Sequence, residues 1–141
     1  MKGLSTLIRL HKQKLDERRQ RLAQLQAVAT GFASQIDALE RDANQEAEKA
    51  GDNPESVHAI GSFVQATLAR RDALKASLID VQAGIDSLQS EISHAFAEVK
   101  RFEVVDERRE TRALRTRQRR ERKAEDAIGL GIYQRRRAVG A

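Results

Sequence analysis

The sequence has no cysteine, no tryptophan and a single proline among 141 residues. Without cysteine there are no disulfides and no thiolate metal ligands. That absence fits a reducing compartment. The aromatic residues are Phe32, Phe63, Phe96, Phe102 and Tyr133, too few for an aromatic-rich core, a sandwich or a barrel. No apolar run approaches the ~18 residues of a membrane span. The first ten residues carry Lys2 and Arg9 and lack an apolar block ending in a small-residue cleavage site. No transmembrane segment and no signal peptide are therefore expected, and the chain reads as soluble and intracellular.

What remains is helix-forming and charged. Ala, Glu, Lys, Leu and Arg make up 72 of the 141 residues, a share that points to long helices once a heptad-like repeat is found. Steps of four and three from Leu4 give Leu4, Ile8, His11, Leu15, Arg18, Leu22, Leu25, Ala29, Phe32, Ile36, Leu39 and Ala43, of which ten are apolar. The mean step of 3.5 is that of a coiled-coil seam. The pattern breaks at Gly51, Asp52, Asn53 and Pro54. Gly51 can end a helix with a left-handed backbone. Asn53 can cap the next helix, with Pro54 at its first position. A second seam runs Ile60, Val64, Thr67, Arg71, Leu74, Leu78, Val81, Ile85, Leu88, Ile92, Ala95, Val99 and Phe102.

These signals predict an all-α fold: an antiparallel two-helix coiled-coil hairpin whose second helix overhangs the first at its C-terminal end. The expected layout is one coiled-coil domain over 1–141. Helix one covers about 4–50, a turn 51–54, helix two about 54–127, and a flexible tail 128–141 follows the stop signals Gly129 and Gly131. Folding about position 52 sets Leu4 opposite Lys100 and Arg18 opposite Asp86. At 1.5 Å per residue the overhang is ~40 Å long. His11, Arg18 and Arg71 read as wet seam-edge positions with packed stems and exposed heads.

Charge is divided unevenly. Residues 100–141 carry 14 Lys and Arg against 7 Asp and Glu, whereas residues 1–99 carry 12 against 14. The densest cationic stretch includes Arg108, Arg109, Arg112, Arg115, Arg119 and Arg120. One reading is a solvated helix held by local pairs among Glu107, Glu110 and Arg112. The other is a surface for an acidic partner, on residues that occupy more than one face and so suit a surrounding partner. Catalysis is not expected, nor is a cofactor or metal. His11, His58 and His94 have no ligand spacing, there is no phosphate-binding glycine loop, and two helices make no dry concave pocket.

The stretch from Val99 to Glu110 (VKRFEVVDERRE), the stretch from Arg117 to Ile128 (RQRRERKAEDAI) and the opening from Leu4 to Arg19 (LSTLIRLHKQKLDERR) resemble the FliJ family of flagellar type III export. The resemblance covers most of the chain. It implies a non-catalytic coiled coil similar to the central stalk of rotary ATPases, one that binds the flagellar export ATPase ring and promotes its activity. It also implies links to the export gate's cytoplasmic domain and to export chaperones. On this view Arg108, Arg109, Arg112, Arg115, Arg119 and Arg120 contact the ATPase. Phe63, Val64 and Leu68, near the turn, contact the gate. The implied location is cytoplasmic and peripheral, at the cytoplasmic face of the inner-membrane export apparatus.

The competing reading is a basic coiled-coil nucleic-acid-binding protein. The sequence pI of about 10.0 and the arginine run permit it. Acidic residues are interleaved, no aromatic platform lies among the arginines, and a basic zipper would set its basic region before the seam. Nucleic acid is therefore not expected as a partner. A membrane-surface helix is disfavoured because residues 103–123 lack a coherent apolar face.

Overall fold

In the computed structural model the described residues are 2–51 and 53–140. Asp52, inside the expected turn, lies outside them, as do positions 1 and 141 of the expected domain. Two helices account for nearly all of the rest: α1, Lys2–Lys49, and α2, Pro54–Gly140. No strand occurs among the described residues. The expected antiparallel helical hairpin is the observed fold class. By backbone proximity the chain divides into two compact units, where the sequence reads as one domain. The described residues of one are 12–96; those of the other are 2–11 with 97–140.

Unit 12–96 contains the turn and most of the seam. Every expected seam position from Leu15 to Ala43 and from Ile60 to Ala95 is buried or half-buried, while the residues between them are mostly exposed. Leu15, Ile36, Ala43, Ile85, Leu88 and Ala95 are the buried apolar residues. Among the described residues no large side chain is wholly enclosed. The core is one seam wide, as an Ala- and Leu-based heptad pattern dictates. Burying a Leu or Ile side chain contributes ~1.5–3 kcal/mol, so the hairpin depends on repetition along the seam rather than on a few deep residues.

The start of α2 follows from two side chains, Asn53 and Pro54. The Asn53 side-chain oxygen accepts a hydrogen bond from the Glu55 amide at 3.2 Å, and the Val57 amide donates to the Asn53 carbonyl at 3.0 Å. Pro54 occupies the first helical position, where its missing N–H removes no hydrogen bond. Gly51 does not take the left-handed conformation anticipated for it. Instead α1 tightens at its end, where the Ala50 amide donates to the Ala47 carbonyl at 3.3 Å.

The register differs from the simple fold-back about position 52. Arg18 faces Glu91 at 4.0 Å, while Asp86 accepts a hydrogen bond from Gln82 of its own helix. The physical reason is the turn. Pro54, Glu55, Val57, His58 and Ala59 are exposed, so the first turn of α2 rises past the end of α1 before seam pairing begins. Arg71 is half-buried, pairing with Glu40 at 3.7 Å and with Asp72 at 2.9 Å. Lys75 also reaches Glu40, at 3.5 Å. These cross-helix pairs are long and partly hydrated, which limits each to ~0–1 kcal/mol; their use is to favour one register.

In the other unit the seam closes over a few residues. Ile8 and Val99 are buried; Leu4, His11 and Phe102 are half-buried. The His11 ring lies 5.0 Å from that of Phe102, with its Nδ1 3.9 Å from the Glu98 carboxylate. These contacts set Leu4 beyond Lys100, the residue expected to face it. His11 thus packs against the Phe102 ring and lies near the Glu98 carboxylate. From Glu107 to Leu130 every α2 residue is exposed.

Candidate interaction surfaces

The end of α2 needs a correction first. Gly129 and Gly131 were read as stop signals near 127, with a tail beyond, yet α2 continues to Gly140. Neither glycine has positive φ. Glycine permits a left-handed stop but does not impose one; within a helix it costs ~1 kcal/mol relative to Ala. Alanine, arginine and apolar residues on both sides carry the helix through.

That continuity fixes the azimuth of each overhang side chain. At 3.6 residues per turn, Arg108, Arg109, Arg112, Arg115, Arg119 and Arg120 fall within an arc of ~140°. They therefore share one side of α2, where the sequence reading spread them around it. Glu103, Glu107, Glu110, Glu121 and Glu125 fall within a ~60° arc on the other side by the same geometry. Between 107 and 125 the arginine side carries no carboxylate; Asp126 lies on that side further along, and Arg117 lies beside the glutamates.

The segregation changes the local electrostatics. Helical pairs form between residues three or four apart. Arg108, Arg112, Arg115, Arg119 and Arg120 have no Asp or Glu at any of those offsets. Among the described residues, none of these five has a carboxylate within ion-pair distance. The local pairs of Arg112 with Glu107 or Glu110, which the solvated-helix reading would need, are absent, because those glutamates lie on the other side of the helix. Thr111 turns inward, its hydroxyl donating to the Glu107 carbonyl at 2.9 Å. What neighbours each arginine is another arginine: Arg108 with Arg112, Arg112 with Arg115, Arg115 with Arg119. Like charges at these offsets destabilise a helix by ~0.2–0.5 kcal/mol per pair.

The near-turn residues are divided by the hairpin. Phe63 is 48% exposed and borders a shallow groove with Leu39, Asp42, Ala66, Thr67 and Arg70. Val64 points into the seam and is half-buried, as is Leu68. Of the three, Phe63 alone is exposed, with about half of its surface open to a partner. Two further apolar features went unremarked in the sequence reading. Ile79 is 70% exposed on the hairpin. Ile128, Leu130, Ile132 and Tyr133 are exposed on the last turns of α2. The run from Ile128 to Tyr133 was visible in the sequence, but its two glycines gave it the look of a tail.

No group of His, Asp and Glu with metal-binding geometry occurs among the described residues. No described helix is long and apolar enough to cross a membrane.

Comparison with known proteins agrees with this architecture. No curated protein and no solved structure gives a significant match. The model of the family described as "Flagellar FliJ protein" matches residues 1–138, nearly the whole chain. The two-helix hairpin, the overhanging α2 and this match together establish that the chain belongs to the flagellar FliJ family of coiled-coil export proteins.

Proposed function

We propose that this chain is a non-catalytic stalk of the flagellar export apparatus that binds the export ATPase ring through the overhang of α2 and promotes its activity. The observation that carries the reading is the overhang itself. In a chain of this family, α2 presents a run of arginines, of which Arg108, Arg112, Arg115, Arg119 and Arg120 have no carboxylate of the described chain within ion-pair distance. A lone helix with no seam is poorly stabilised in water and gains order by docking. Its charge suits an acidic surface and speeds encounter with one.

On this reading Arg108, Arg109, Arg112, Arg115, Arg119 and Arg120 meet the ATPase. Phe63, with Val64 and Leu68, forms the contact for the cytoplasmic domain of the export gate. Export chaperones are further partners. The working location is the cytoplasm, peripheral to the inner-membrane export apparatus.

The test is ATPase stimulation by the purified chain at ~0.15 M salt, where the Debye length is ~8 Å and only close charge contacts persist. Full-length chain should stimulate hydrolysis, and truncation after Phe102 should abolish the effect. Equal stimulation by the truncated chain would refute the stalk role of the overhang. Phe63→Ala should weaken capture of the gate domain without loss of helical signal; unchanged capture would remove Phe63 from that site.

A further inference from the structure

We infer that Arg108, Arg112, Arg115 and Arg119 form a one-sided docking strip for an acidic α-helix of a protein partner. The inference deepens the reading above, and rests on it only for the partner's identity.

Three observations lead to it. The four arginines follow steps of four, three and four, so they form one line along α2. At 1.5 Å per residue that line spans ~16 Å, about three turns. No carboxylate of the described chain pairs with any of them, and each has another arginine as its nearest charged neighbour along the line. The opposite side of the same helix carries Glu107, Glu110, Glu121 and Glu125. An encircling anionic surface would meet those glutamates and be repelled by them. A partner on one side meets only the arginines.

The rise of the helix selects the partner's form. A second helix advances by the same 1.5 Å per residue, so carboxylates spaced four, three and four stay level with the arginines along the whole strip. Arginine's forked guanidinium can then take each carboxylate in two hydrogen bonds. Docking replaces arginine–arginine repulsion with attraction, so binding and helix stabilisation are one event. A nucleic-acid duplex fits less well. A helix in its groove has phosphates on both flanks, which favours a broad basic surface rather than one line backed by glutamates.

The experiment uses the full chain and four probes: the export ATPase, a synthetic helix-forming peptide with Glu at four–three–four spacing, a random-sequence duplex, and a second copy of the chain. The strip variant is Arg112→Glu, Arg115→Glu, Arg119→Glu. The control, with the same change in net charge, is Arg117→Glu, Arg135→Glu, Arg136→Glu, which lie off the strip. The strip variant should lose at least about 100-fold in affinity for the acidic peptide and for the ATPase, and the control less than about threefold. A peptide with Lys in place of Glu should bind the strip variant and not the native chain. Equal losses in the two variants would overturn the strip, since net charge alone would then explain binding. Tighter binding of the duplex than of the acidic peptide would overturn the protein partner, and self-association that saturates the strip would replace it with a second copy. Peptide binding without ATPase binding would uphold the strip and refute the ATPase reading.

Discussion

Residues 12–96 and residues 107–140 are both almost wholly helical, yet the first pack helix on helix along a seam and the second are exposed along nearly their whole length. Arginine supplies 6 of the 85 residues of the first and 11 of the 34 of the second, while leucine supplies 8 and 2. In the first, apolar residues recur every 3.5 positions and face a second helix. In the second, the same steps from Phe102 land on Asp106, Arg109, Ala113, Thr116 and Arg120. Of those five, Asp106 alone is half-buried; the rest are exposed. Placement of the apolar residues, as well as their number, separates the seam from the overhang. In the hairpin, charges serve register, as in Arg18 with Glu91 and Arg71 with Glu40. In the overhang, Arg108, Arg112, Arg115, Arg119 and Arg120 lie on one side with no carboxylate of the described chain within ion-pair distance.

The sharpest way to break this contrast is to place one charge in each region. Ile85→Asp buries a carboxylate in the seam and should destabilise the hairpin by ~3–5 kcal/mol, from lost apolar burial plus desolvation. Leu114→Asp, on the exposed overhang, should change stability by less than ~0.5 kcal/mol, as surface substitutions do. Thermal melts followed by circular dichroism compare the two. Similar shifts would mean that the overhang is folded against something in the free chain.

A smaller effect is expected at the end of α2. A Cβ added at Gly129 or Gly131 meets nothing within 4 Å. Gly129→Ala with Gly131→Ala should therefore stabilise the terminal helix by ~1 kcal/mol per site, the propensity difference alone. Amide exchange at 128–140 should slow in the double variant. Unchanged exchange would mean that these glycines do not limit the helix.

The seam and the hairpin were legible in the sequence because their signals are local and redundant. All the expected seam positions, from Leu4 to Ala43 and from Ile60 to Phe102, are buried or half-buried. The Asn53–Pro54 start of α2 was legible too, since the cap needs only its own side chain. Register was not. It depends on how far the first turn of α2 rises before pairing, which no residue type encodes, and so Arg18 meets Glu91 rather than Asp86. Gly129 and Gly131 misled because glycine lowers helix stability without dictating an end. The arginine side was half-legible. The charge excess shows in a count, but its one-sidedness appears only once helix is known to run unbroken past 127, because one bend or irregular segment would scramble the azimuths.

The smallest expected effect isolates repulsion along the strip. Raising salt from ~0.05 to ~0.5 M screens exposed charges more strongly. Helical signal from 107–123 should rise slightly in the free chain, while residues 12–96 change little. A fall in overhang helicity would mean that attractive pairs, not like charges, dominate there.

The central claim is that the overhang of α2 gains its order from a partner, while the hairpin carries its own. Hydrogen exchange of the full chain, alone and with the export ATPase, tests this most directly. The account predicts slow exchange at seam amides of 12–96 in both samples. Amides of 107–123 should exchange fast in the free chain and become protected with the ATPase. Protection of 107–123 in the free chain equal to that of the seam, or no gain in protection on adding an ATPase that the chain stimulates, would contradict it.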